Sequence, residues 1–266
     1  MKQFLIRSML IASICLSPYS HADNVFIVKT TFCPMSCNPK TDQLEGYLVE
    51  IAKAAFKGTK HNLIFKEVDT WSRALVMVKE AQVDGMIPSL STVAEAEGTI
   101  LMPEEFISNT ADICMIKKGN PWRFKDIKSL DSIGMLGVIS GGDYGEEINR
   151  WMKNNPKKLT WLGSDHVYER ALKMIKLGRI DAFPESKEVL YYTRHKLGFD
   201  NDLVEGGETF KYASFIGFGK QSKKAIEYNK IVTDYVRKIK HSGELDELFI
   251  KYGLPAVKKT NSDLGR

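Results

Sequence analysis

Cys33 and Cys37, separated by Pro34-Met35-Ser36, can either share a metal ion or oxidise to a short loop. A metal needs further ligands, and His61, His166, His195 and His241 are scattered without ligand spacing. The expectation is therefore a Cys33–Cys37 disulfide, and no metal. Cys114 sits in the apolar run Ile113-Cys114-Met115-Ile116 and reads as a small buried hydrophobe. The chain contains no Ser-His-Asp order, metal set or phosphate loop, so neither an enzyme nor a cofactor is expected.

The elements that must position these residues alternate between short apolar runs and helical periodicities, the pattern of an α/β chain. Val25–Val28, Leu63–Val68 and Val83–Ile87 read as strands. Leu48, Ile51, Ala52 and Ala55 repeat at helical spacing within residues 45–57, and Trp71, Ala74, Leu75 and Val78 do the same with Asp69 or Thr70 as the cap. After the polar break Lys117–Pro121 a second series begins: a strand over Ile133–Ile139, the turn Gly141–Gly145, a helix over 146–153 and a helix capped by Asp165. The strand Ile180–Phe183, a helix over 187–197, the strand Ala213–Phe218 and a long helix over 222–241 follow. Two αβ cores joined near 115–118 and 214–219 would leave a cleft between them, where small-molecule sites form.

The first residues have a basic start (Lys2, Arg7), an apolar run from Met9 to Leu16 and small residues at Ser20 and Ala22. This reads as a secretory leader cleaved after Ala22, with a periplasmic destination. The run is too short to span a bilayer. Removing Lys2 and Arg7 leaves 36 basic residues against 33 acidic ones. That near balance, without a run of Lys or Arg interleaved with aromatics, argues against nucleic acid as a partner.

Several segments, in this order, resemble the bacterial extracellular solute-binding proteins of the polar amino-acid type, the receptor components of ABC importers. They are Gly46–Ile51, Trp71–Leu75, Val83–Ile87, Gly178–Ala182, Ser242–Asp246 and Lys251–Gly253. The resemblance implies a two-lobed periplasmic-binding-protein fold of type II, each lobe a mostly parallel sheet flanked by helices, joined by two hinge crossings. It divides the chain into a signal peptide at 1–22, a first lobe at 23–115 and 217–258, a second lobe at 116–216 and a disordered tail at 259–266.

It also implies a monomer that captures a small polar solute for an ABC permease or a membrane sensor. By position, Phe32 and Trp71 would supply aromatic faces, and Ser89 and Ser91 hydroxyls. Gly141, Gly142 and Asp143 would form a turn before a helix, where amides and the helix dipole favour negative charge. The family's ammonium-binding acid falls at Ser186, with Glu185 one place away. Its carboxylate-binding Arg falls at Ala96, or at Glu95 with a slip of one residue, so the usual clamp is missing. The implied site is therefore non-standard and suits a neutral or cationic solute, unless Arg73 substitutes as the clamp. Each residue has a plainer reading: Trp71 and Phe32 as core, Arg73 as solvent-facing, the serines as loop and cap residues, the glycines as a tight turn. Two other functions stay open, an orphan or sensor-type module without a transport role, and a cleft lyase or dehydratase using Asp143, Glu185 or Glu95 as its acid.

Overall fold

The computed structural model describes residues 23–40, 42–92, 94, 98–163 and 166–256. The expected leader, Glu95, Ala96, Asp165 and the 259–266 tail lie outside the described residues.

Strand β1 (Asp23–Lys29) shows how the first core is laid down. Its side chains alternate, Val25 and Ile27 entering one apolar layer, Phe26 and Val28 the other. β1 pairs in parallel with β2 (His61–Glu67) and β3 (Gly85–Leu90). On one face lies α1 (Tyr47–Phe56), whose Leu48, Ile51, Ala52 and Ala55 are buried as their spacing predicts. On the other lies α2 (Trp71–Lys79), with Ala74, Leu75 and Val78 inward. The cap of α2 is Thr70, whose hydroxyl accepts from the Arg73 amide at 3.3 Å.

Gly46, just before α1, has φ +104°, and a Cβ there would come within 2.5 Å of the Ser36 Cα. Only glycine lets α1 start so close to the turn Phe32–Cys37. That turn is closed by the expected Cys33–Cys37 disulfide, with the Cα atoms 4.4 Å apart.

After the short β4 (Ile100–Leu101) the chain enters β5 (Ser108–Lys117), and much later it returns through the 17-residue β9 (Leu203–Gly219). The two strands pair antiparallel with each other, and β9 continues antiparallel onto β3 and β4. Between them the chain builds a second core: β6 (Leu136–Ile139), α3 (Glu146–Asn154), β7 (Leu159–Leu162), α4 (Val167–Lys176), β8 (Ala182–Ser186) and α5 (Lys187–Lys196). β6 runs parallel to β7 and β8, and β8 runs antiparallel to β5. The full strand order is β2-β1-β3-β9-β5-β8-β6-β7, with β4 on β9.

Alternation along β5 divides the second core into two layers. Ile113 and Met115 pack with Ala171, Leu172 and Ile175 of α4, while Cys114 and Ile116 face Trp151 and Met152 of α3. Ala111 to Met115, expected in the first lobe, therefore have their packing partners in the second.

The chain closes with α6 (Ala225–Ser242) and α7 (Glu244–Lys251) on the first lobe. The Tyr252 hydroxyl accepts from the Gly46 amide at 2.8 Å and donates to Glu50 Oε1 at 2.5 Å, tying the end of the chain to the start of α1. Helix α5 also reaches the first lobe. Tyr191 and Tyr192 pack against its core, and Lys196 pairs with Asp42 at 3.3 Å.

Candidate functional site

In open α/β sheets, ligands gather outside the carboxyl ends of parallel strands, where loops and helix starts converge. In the second lobe those ends are the turn after β6 and the β8–α5 corner. Glu185 stands at the corner, partly exposed, with Oε1 accepting from the Ser186 amide at 2.8 Å. Burial pushes its carboxyl up to about 8, against that hydrogen bond and with the nearby Asp112 adding to the rise. Asp112 of β5 lies opposite Ser186 in the ladder and accepts from the Tyr212 hydroxyl of β9 at 2.9 Å. Burial holds Asp112 up at about 6, with Glu188 contributing. Among the described residues neither acid has a basic side chain in ion-pair range.

Tyrosines line the same corner. Tyr144 folds back so that its hydroxyl accepts from the Ile139 amide at 2.7 Å, and Tyr168 opens α4. Burial raises both phenols, and the charges of Glu185 and Asp112 raise them further, which puts these four side chains in one electrostatic neighbourhood. The turn Gly141-Gly142-Asp143 lies beside them, exposed. Asp143 Oδ1 accepts from Asn149 Nδ2 at 2.6 Å and from the Gly145 amide at 3.0 Å, and these two bonds hold its carboxyl below the usual range. Its charge is thus spent on shaping the entry to α3.

In the first lobe the sequence-predicted residues are differently occupied. Trp71 is half-buried over the α2 layer, and its Nε1 donates to the Pro88 carbonyl at 3.0 Å. Phe32 is half-buried over the α1 layer, on the opposite face of the sheet. Ser89 is fully buried, donates to the Met86 carbonyl at 3.2 Å and fills the space left by Gly217, where a Cβ would meet its hydroxyl at 2.2 Å. Ser91 Oγ accepts from the Ala213 amide at 3.0 Å, fastening β9 to the end of β3. Arg73 is exposed on α2, and among the described residues its guanidinium has no hydrogen-bond or ion-pair partner.

The structure therefore brings Glu185, Gly141, Gly142 and Asp143 to one end of the second lobe, and Trp71, Ser89 and Ser91 to the end of β3. Asp112, Tyr168 and Glu188 were missed by sequence reasoning. An acid interrupting the apolar run from Ala111 to Ile116 was the signal that could have found Asp112. The three closely spaced ligand atoms of Cys33, Cys37 and Asp42 do not make a metal centre, because both sulfurs are in the disulfide.

Several solved structures share this fold. A protein studied for glutathione import together with the cystine ABC importer of Streptococcus mutans is 19% identical, covering 91% of this chain and 99% of its own, with a TM-score of 0.65. The ligand-binding core of GluR0 from Nostoc punctiforme, solved with L-glutamate, is 15% identical over 86% and 98%, with a TM-score of 0.61. A histidine kinase sensor domain similar to periplasmic binding proteins is 13% identical over 90% and 99%, with a TM-score of 0.62. No curated protein matches the chain. No helix among the described residues is long and apolar enough to cross a membrane. The family profile of the bacterial extracellular solute-binding proteins, family 3, matches residues 25–255, and the chain belongs to that family.

Proposed function

We propose that this protein captures a small polar solute bearing a cationic group between its two lobes, leaves it chemically unchanged, and delivers it to an ABC permease. The observation that carries the cationic character is the pair Asp112 and Glu185. Both are carboxyls lifted by burial, Glu185 further by Asp112 and Asp112 further by Glu188, and neither is paired with a base among the described residues. An ammonium or guanidinium placed there would supply the missing counter-charge, and tyrosine faces around it suit a cation. No guanidinium stands at position 96 to receive a carboxylate. A desolvated anion in the crevice would therefore meet carboxylates instead of a clamp.

We place the crossings at Ser108–Asp112 on β5 and Tyr212–Ser214 on β9, where pairing and packing pass from one core to the other. Closure about them would follow from a ligand that touches both lobes only in the shut state. The mature chain would begin at Asp23 after removal of the leader, act in the periplasm and work as a monomer.

Thermal denaturation with a panel of solutes tests this reading. L-arginine, L-lysine and putrescine represent the cationic class, with L-glutamate and succinate as anionic controls. A ligand at 100 times its Kd stabilises the folded state by about 2.7 kcal/mol. The expected result is a raised Tm with at least one cationic solute. Stabilisation by the anionic controls alone would overturn the assignment.

A further inference from the structure

Glu188, in the first turn of α5, is 5% exposed, and among the described residues no cation pairs with it. Three hydroxyls donate to its carboxylate: Ser108 at 3.1 Å and Thr110 at 2.5 Å, both from β5, and Ser186 at 3.2 Å from the end of β8. Ser108 Oγ lies 2.8 Å from Ser214 Oγ on β9, which in turn lies 3.4 Å from the Tyr47 hydroxyl at the start of α1. One carboxylate thus reaches β5 and the corner carrying Glu185 directly, β9 through one relay, and the start of α1 through two. Burial pushes Glu188 above the usual carboxylate range, and the three hydroxyls oppose that rise. A buried acid without a cation persists only where hydrogen bonds offset its desolvation, and deleting the acceptor strands its donors.

We propose that Glu188 is the positioning residue of the interlobe connection. It fixes β5 against β9 and against the β8–α5 corner, and so sets how the two lobes stand about the crevice. The inference rests on the fold and on this geometry, and it holds whatever solute the crevice takes.

The test is hydrogen exchange followed by mass spectrometry on the mature, solute-free chain, comparing Glu188→Leu with Glu188→Gln. Leucine fills the volume but accepts no hydrogen. Glutamine keeps one acceptor for Thr110 and Ser186 and can donate to Ser108, whose hydroxyl then turns to Ser214. The Leu variant should exchange about tenfold faster or more at residues 108–112 and 212–215, with β1 and β6 unchanged. The Gln variant should return to within about threefold of the parent.

Should the Leu variant fail to fold, Thr110→Val and Ser108→Ala each remove a single donor and should each loosen the same two segments by a smaller factor. Parent-like exchange in the Leu variant, or in both single-donor variants, would overturn the proposal. So would a rise spread evenly over β1 and β6, or a Gln variant as loosened as the Leu one.

Discussion

The two walls of the proposed crevice differ in what their polar atoms are doing. On the first-lobe wall the hydrogen-bonding capacity is largely committed to the protein itself: Trp71 to the Pro88 carbonyl, Ser89 to Met86, Ser91 to the Ala213 amide. On the second-lobe wall Asp112 and Glu185 hold carboxyls that burial has lifted and that no base balances among the described residues. A wall whose donors are used up gives shape, while a wall whose buried acids lack a counter-charge offers ligand chemistry. The comparison shifts attention from the arginine absent at position 96 to the acids of the second lobe, where the proposed recognition of a cation lies.

The sharpest way to break the comparison is the double substitution Asp112→Asn with Glu185→Gln. If the second wall carries the charge recognition, affinity for the stabilising solute falls about 100-fold or more by calorimetry, because the amides cannot ionise to meet its cation. Next is Trp71→Ala on the first wall. Loss of the aromatic face should weaken the same solute by about tenfold while the fold is retained, as read by circular dichroism. Undiminished binding would leave Trp71 with a packing role alone.

A smaller effect separates stability from binding. The folded protein holds a proton on Glu185 up to about pH 8, whereas the unfolded chain loses it near the ordinary value of 4.5. The native state therefore binds the extra proton, and stability drawn from this group is lost as pH rises between those limits. Glu185→Gln should then raise Tm by a few degrees at pH 8 relative to the parent, with no gain at pH 4, while binding is impaired. Calorimetric scans at both pH values check this, and a gain of equal size at pH 4 would contradict it. The smallest effect belongs to Ser89→Ala. Its hydroxyl is spent on Met86, so solute affinity should stay within about twofold of the parent and stability should fall by about 1 kcal/mol.

How much of this was legible in the sequence follows from what each element depends on. α1 and α2 carry their own apolar periodicity, β1 alternates between two layers, and the short Cys33–Cys37 spacing announced its loop. The first half of β9, Leu203–Tyr212, was not foreseen. Val-Glu-Gly-Gly-Glu-Thr-Phe-Lys at its centre has no strand-like pattern of its own, and it is extended because β5 lies alongside to pair with it. β7 and β4 were missed for a similar reason, being four and two residues long.

Of the site, Glu185 and the Gly141–Asp143 turn came from family position. Glu188 read as an ordinary acid in the first turn of a helix, where the dipole favours one. Only the fold shows that β5 and the end of β8 deliver their hydroxyls to it. The lobe crossings illustrate the same limit, since an apolar run such as Ile113–Ile116 says that it is buried but not in which of two cores.

Mass spectrometry of the small molecules released from protein purified from its native host tests the central claim most directly. The account predicts a bound solute carrying an ammonium or guanidinium group, released when Asp112 and Glu185 are neutralised by substitution. An anionic solute held by the parent, and held equally well by that double variant, would contradict it.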